Sequence, residues 1–170
     1  MKTAREDAAL LFRIRLVLGL FIVALVLSGM TAFPLLRELD CLCSISGIDG
    51  APGAAARGSF GVWIWTVREG LRDMYAHYPW IAYGTDWLAF AHLVLAVFFV
   101  GPLLNPVRNT WVLQAGLIGC AMVIPLAQIA GPARGIPWGW RLIDCSFGVF
   151  GALPLYYCLR LTRRMEKQQA

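Results

Sequence analysis

Charged residues are scarce in this sequence, at 15% of its 170 residues, whereas about 25% is usual in soluble proteins. Hydrophobic residues reach 59%, and the mean hydropathy is +0.64. This composition excludes a soluble monomer, a disordered chain, a coiled coil and a small secreted domain held by disulfides. It predicts an integral membrane protein.

Motifs of several functional classes are also missing. No HExxH, GxSxG, Walker or GxGxxG arrangement occurs, so hydrolase and nucleotide-binding functions have no motif support. There is no basic stripe with interleaved aromatic residues, and we predict no nucleic-acid partner. Only His77 and His92 are available as imidazole ligands, and His77 stands in a connecting segment, which disfavours a haem between helices. We predict no metal site, and no cofactor follows from the sequence.

Three stretches without charged residues are long enough to cross a bilayer, whose core of about 30 Å needs about 20 apolar residues in a helix. They lie between Arg15 and Arg37, between Asp86 and Arg108, and between Arg108 and Arg134. The first stretch is longer than the apolar region of a cleavable signal, so we interpret it as a retained signal anchor.

A fourth stretch, between Asp144 and Arg160, has only about 15 uncharged residues, or roughly 22 Å of helix. Because this is too short to span, the helix must begin earlier, near Trp138. Arg141 and Asp144 then lie in its first two turns, at the membrane boundary.

We therefore predict an all-α membrane protein, a bundle of four transmembrane helices in a single domain covering residues 1–170. The predicted spans are 12–36, 86–104, 110–131 and 138–160. Within the connecting segment 37–85, residues Ser44–Ser59 are rich in Gly, Ala and Ser, which indicates flexibility. From Phe60 onward the pattern is that of an amphipathic helix. Two interpretations fit it: a helix on the membrane surface with tryptophan anchors, or a cap packed on the bundle.

The basic residues near the ends of the spans predict the orientation. Nine of them flank the side that holds both termini and the short second connection, whereas six are spread over the longer connections on the other side. The positive-inside rule then places both termini in the cytoplasm. The default location is a bacterial inner membrane, with the segment 37–85 in the periplasm.

Polar residues within the spans gather on the periplasmic side. Because such groups are costly in a membrane, each needs a partner or a purpose. Arg141 and Asp144 are three residues apart on one helix and can neutralise each other. Two interpretations stay open, a ligand pocket and a purely structural set of interactions. The candidate ligand-binding residues are Asp86, His92, Gln128, Trp138, Arg141 and Asp144.

Cys41 and Cys43 stand just outside the first span. Two thiols at this spacing can exchange disulfides or hold a soft metal. Thiol oxidases linked to quinones use two external cysteine pairs, and the other cysteines here lie within the spans. A chance pair or a bridge to another chain is therefore the simpler interpretation.

Residues 83–92 (YGTDWLAFAH), Gly101-Pro102, 105–109 (NPVRN) and 134–148 (RGIPWGWRLIDCSFG) are similar to small four-span bacterial membrane proteins with no assigned activity. The resemblance covers the second to fourth spans. It implies the four-span architecture and a bacterial origin, and it includes Asp86, His92, Arg141 and Asp144.

Two functions from different classes fit these observations. The first is a binding or accessory protein that receives a small amphiphile, a lipid or a partner subunit at the periplasmic polar residues. Membrane lipids and a membrane protein or a second copy of the chain would be its partners. The alternative is a membrane oxidoreductase that uses Cys41 and Cys43, or a quinone near His92.

Overall fold

The computed structural model describes residues 2–48 and 60–169. Within these ranges it contains six α-helices and no strand, which confirms the all-α fold class. A 3₁₀ turn, Pro79–Ala82, leads into the fourth helix. Residues 49–59, most of the predicted flexible segment, lie outside the described residues. The helices are α1 (Lys2–Ala32), α2 (Leu35–Ile45), α3 (Phe60–His77), α4 (Tyr83–Leu104), α5 (Thr110–Ala133) and α6 (Trp138–Gln169).

Four stretches of the described chain are helical, long and apolar enough to cross a membrane, so this is a multi-pass helical membrane protein. Only 11–22% of the residues in their most apolar windows are buried within the protein. Most of the apolar side chains therefore face outward, where lipid would cover them. The stretches are Glu6–Ala32, Pro79–Leu104, Thr110–Ala133 and Trp138–Gln168.

Two helix ends show how the sequence sets the length of the spans. The last helix begins at Trp138, directly after Pro137, as predicted. The first long helix ends at Ala32, short of the predicted end at Leu36. A residue that precedes a proline is disfavoured in the α conformation, so Phe33-Pro34 interrupts the helix. The chain then continues as α2.

The chain divides into two compact units, of which the first comprises Met1–Leu25 and Val94–Ala170. Its buried core draws on all four long helices, and α6 contributes the largest share. The core residues are Ile14, Leu18, Phe99, Leu113, Leu155, Cys158, Leu159, Leu161 and Met165.

Arg15 of α1 holds the C-terminal end of α4 in the first unit. Its Nε donates to the carbonyl of Leu103 at 3.2 Å, and its Nη2 donates to the carbonyl of Leu104 at 3.3 Å. The last carbonyls of a helix lack partners within the helix, and a cation there also complements the helix dipole. Arg15 therefore provides hydrogen-bond donors for two carbonyl groups at the C-terminal end of α4.

Helices α5 and α6 of the first unit pack closely through glycines. A Cβ atom added at Gly148 of α6 would lie 2.5 Å from the carbonyl oxygen of Cys120 in α5. A Cβ at Gly116 of α5 would lie 2.7 Å from Phe99 and 2.8 Å from Leu155. Small residues let the two backbones approach to this distance.

The second unit, Val26–Leu93, contains α2 and α3, which pack against each other. Each helix buries two residues one turn apart: Leu39 and Cys43 in α2, and Ile64 and Arg68 in α3. The helix predicted from Phe60 onward is confirmed, and α2 is its neighbour. The position of α3 relative to the membrane surface stays a prediction.

Candidate functional site

Three of the predicted site residues come together where α5 ends and α6 begins, in the first unit. Arg141 donates from Nη1 to Oε1 of Gln128 at 3.3 Å, and Gln128 donates from Nε2 to Sγ of Cys145 at 3.4 Å. The guanidinium carbon of Arg141 lies 4.9 Å from the centre of the Trp138 ring. We call these four residues, Gln128, Trp138, Arg141 and Cys145, the Arg141 site.

A tight connection places the two helices for this contact. At the end of α5, the backbone N–H of Arg134 donates a hydrogen bond to the carbonyl of Ala130, and that of Ile136 donates to the carbonyl of Gly131. Gly135, between them, has a positive φ of 70°. Glycine adopts this conformation without strain, so the chain reverses within a few residues. Pro137 then precedes the first turn of α6.

Gly131 provides the space that Arg141 occupies. This glycine is buried, and a Cβ atom at its position would clash with Cδ of Arg141. The aliphatic part of the arginine side chain therefore lies directly on the α5 backbone. Gln128 precedes Gly131 by three residues, which places the amide and the space for the arginine on one face of α5.

Arg141 has no acidic partner in the part of the chain that the structure describes. Among the residues that the structure describes, no ion pair within 4.0 Å includes Arg141. Its Nε is buried and lacks a hydrogen-bond partner. A neutral amide oxygen and the face of an indole ring are thus the groups that the protein supplies to a half-buried guanidinium.

The pairing expected between Arg141 and Asp144 does not form. Both residues lie within the described range, and the arginine turns toward Gln128 on the neighbouring helix instead. Asp144 is half-buried and makes no hydrogen bond or ion pair with other described residues. The reason is that α5 offers Arg141 both an amide acceptor and, at Gly131, room for its side chain.

Asp86 and His92 both lie in α4, within the second unit. Asp86 is in the first turn of the helix, where a negative charge is favoured by the helix dipole. His92 is half-buried, and its Nδ1 lies 2.8 Å from the carbonyl oxygen of Leu88. This contact with its own helix leaves Nε2 as the ring nitrogen available to a ligand.

Two members of the arrangement at Arg141 were not among the predicted site residues. Cys145 accepts a hydrogen bond from Gln128, and Gly131 makes room for the arginine side chain. The spacing of the sequence could have indicated both residues, because Gly131 follows Gln128 by three residues and Cys145 follows Arg141 by four. Each pair therefore shares a helix face.

The cysteines of the alternative function lie in α2, and all five cysteines of the chain are free thiols. Cys41 is exposed, whereas Cys43 is completely buried. Two residues apart on a helix correspond to a rotation of about 200°, so the two thiols point to opposite sides. This geometry prevents them from forming a disulfide with each other while α2 is intact.

We expect a polar maleimide to label Cys41 of the folded, detergent-solubilised protein at least about ten times faster than Cys43, because the reagent needs an accessible thiolate. Peptide mass spectrometry after short labelling times measures both rates. Labelling after denaturation provides the control, in which the two rates should converge. Equal rates in the folded protein would contradict the burial of Cys43 in α2.

Comparison of the chain with protein-family models, with curated proteins and with solved structures finds no match. The four long apolar helices are those that the resemblance to small four-span membrane proteins implies. The bacterial origin stays an expectation.

Proposed function

We propose that this membrane protein binds the anionic head group of a membrane amphiphile at the Arg141 site. Trp138, Gln128 and Arg141 would form the contact. Asp144, from α6 of the same unit, would add a polar contact to another part of the head group. Asp86 and His92 of α4 are candidate polar contacts within the second unit. In the predicted orientation, the site faces the periplasmic leaflet of a bacterial inner membrane.

The observation that carries the proposal is the unpaired charge of Arg141. An acidic partner usually neutralises an arginine that is partly buried near the end of a spanning helix, because an unpaired buried charge is costly. Here the described residues supply no carboxylate within 4.0 Å, and one N–H of the guanidinium has no acceptor. An anionic oxygen from outside the chain would supply the missing charge partner at the terminal N–H groups of the guanidinium.

The geometry of the guanidinium favours phosphate or carboxylate as that group. Arginine presents its N–H groups in a planar fork that matches two oxygens of such an anion. Gln128 holds one edge of the fork through Nη1, and the ring of Trp138 lies against the guanidinium. The head group would therefore meet an arginine that is already oriented.

The tryptophans support a position at the level of lipid head groups. Trp138 is 58% exposed at the first residue of α6, and Trp140 follows it closely. Tryptophan prefers the boundary between head groups and acyl chains, where its ring is apolar and its N–H is hydrated. A lipid whose head reaches Arg141 would thus lay its chains along the apolar surface of α5 and α6.

Native mass spectrometry of the gently extracted protein tests the proposal. We expect Arg141→Gln to weaken retention of phosphatidylglycerol about tenfold or more, because it removes charge-assisted hydrogen bonds worth about 1.5–3 kcal/mol. Phosphatidylcholine, which has no net charge, should bind weakly to both proteins.

Arg134→Gln is the matched control. It removes the same charge from an exposed residue in the α5–α6 connection, a few residues from the site. Retention of phosphatidylglycerol should stay at the level of the unmodified protein. If Arg141→Gln and Arg134→Gln retain the lipid equally well, the charge of Arg141 does not hold a head group, and its role is structural.

A further inference from the structure

At the other end of α6, the first unit contains a second polar feature, a cleft between α1 and α6. Its volume is about 490 Å³. Arg13 of α1 and Arg164 and Lys167 of α6 line it, together with Leu10 and one acidic residue, Glu6. We call these five residues the basic cleft. It is separate from the Arg141 site, which lies at the start of α6.

The cationic groups of the basic cleft have no acidic partner within 4.0 Å among the described residues. Within the described residues, no ion pair or hydrogen bond includes the side chain of Arg13, Arg164 or Lys167. Glu6 is likewise unpaired, so the lining residues carry an excess of positive charge. Three cations held around one cavity create a local potential that attracts anions.

The basic charge continues along α6 beyond the cleft. A second, smaller groove of about 240 Å³ shares Arg164 and Lys167 with it and adds Arg160 and Arg163. The guanidinium carbon of Arg160 lies 6.0 Å from the centre of the Tyr156 ring. Tyrosine beside arginine is a combination typical of the membrane boundary.

The lengths of the helices place the basic cleft at head-group level. A bilayer core of about 30 Å corresponds to about 20 helical residues. Counted from Arg141 in α6, that length ends near Arg160. The cleft residues of α6 lie just beyond this level, and Leu10 gives the cavity an apolar wall.

The positive-inside rule explains why basic residues stand at this end, but not why they share a cavity. Arg13 and Arg164 come from the first and last helices of the chain and meet across one cleft. We propose that the basic cleft binds the phosphate group of an anionic phospholipid in the leaflet opposite the Arg141 site. The phosphate is the recognised chemistry, and the apolar wall favours a lipid over free phosphate.

Native mass spectrometry of the full chain in detergent, with phosphatidylglycerol as the probe, tests this inference. Arg164→Gln combined with Lys167→Gln should weaken retention about tenfold or more, because each basic residue near a membrane surface adds substantially to anionic lipid binding. Arg13→Gln, on the other helix, should weaken it in the same direction. Glu6→Gln should strengthen it, since this change removes a negative charge from the lining.

Arg108→Gln is the matched control, because Arg108 is an exposed arginine in the α4–α5 connection at the same end of the first unit. It should leave retention unchanged. Lipid stoichiometry separates this inference from the proposed function: Arg141→Gln should remove one bound lipid and leave the one in the basic cleft. Far-UV circular dichroism checks that each variant is folded.

Three results would overturn the inference. Unchanged retention in both Arg13→Gln and the Arg164/Lys167 variant would show that the cleft is not a lipid site. Equal retention of phosphatidylcholine would show that the phospholipid's net charge is not recognised. Displacement of phosphatidylglycerol by millimolar inorganic phosphate would identify free phosphate as the ligand.

Discussion

Gly148→Ala is expected to destabilise the first unit by about 2–3 kcal/mol. The added Cβ atom would lie 2.5 Å from the carbonyl oxygen of Cys120 and 3.4 Å from Cβ of Val123. Since the first contact is with backbone, no side chain can turn away, and the two helices must separate. Overpacking of this kind typically costs about 1–3 kcal/mol. Unfolding in mixed micelles of increasing SDS content measures the loss.

Gly119→Ala is the control for this substitution. Gly119 lies in α5, and a Cβ atom there meets nothing within 4 Å. The same chemical change should therefore leave stability unchanged or raise it slightly, because alanine is the better helix former. If the two alanine variants unfold at the same SDS fraction, the close packing of α5 on α6 is contradicted.

Glu69→Gln is expected to destabilise the second unit by about 2 kcal/mol. Glu69 accepts hydrogen bonds from Nε of Arg68 at 3.1 Å and from Nη1 of Arg72 at 2.9 Å. Arg68 is only 6% exposed, and without Glu69 its remaining partners are Asp40 at 4.0 Å and the carbonyl of Ile48 at 3.4 Å. Removing one partner of a buried charge costs about 3–5 kcal/mol, and the 36% exposure of Glu69 reduces this.

Asp73→Asn tests the specificity of that effect on the same helix. Oδ1 of Asp73 lies 3.0 Å from Nδ1 of His77 at the exposed end of α3, where such a contact contributes less than about 1 kcal/mol. Proteolysis of the α2–α3 region, followed as a function of denaturant, measures both variants. Equal sensitivity would show that the buried charge of Arg68 does not depend on Glu69.

The sequence predicts the long helices because charge and length constrain them directly. The shortage of uncharged residues before Arg160 moves the start of α6 back to Trp138, and the structure agrees. The end of α1 was less well predicted. Counting apolar residues extends the first span to Leu36, whereas Pro34 ends the helix earlier and begins α2.

Helix α2 was missed because its charges suggest a connection outside the membrane. Arg37, Glu38 and Asp40 interrupt the apolar run, but Leu35, Leu39 and Cys43 recur at intervals of four, which is the pattern of one buried helix face. That pattern was available in the sequence. The partner of α2, in contrast, requires knowledge of how the chain folds back on α3.

The sequence predicts three of the residues that the structure brings together, Gln128, Trp138 and Arg141, but not their pairing. Sequence spacing brings Arg141 and Asp144 together because they share one helix face. The contact with Gln128 depends on how α5 and α6 are rotated about their axes, and the packing at Gly131 determines that rotation. A single sequence fixes the face of each helix far better than the rotation of one helix against another.

The core of the first unit also has a consequence for biogenesis. Ile14 and Leu18 pack in one cluster with Leu155 and Cys158, and the thiol of Cys158 lies 4.0 Å from the carbonyl oxygen of Ile14. The ribosome releases α1 first and α6 last among these helices. The face of α1 that packs on α6 must therefore be covered by lipid or insertion machinery until α6 has been synthesised. The core of the first unit can form only after that point, although α1 is inserted much earlier.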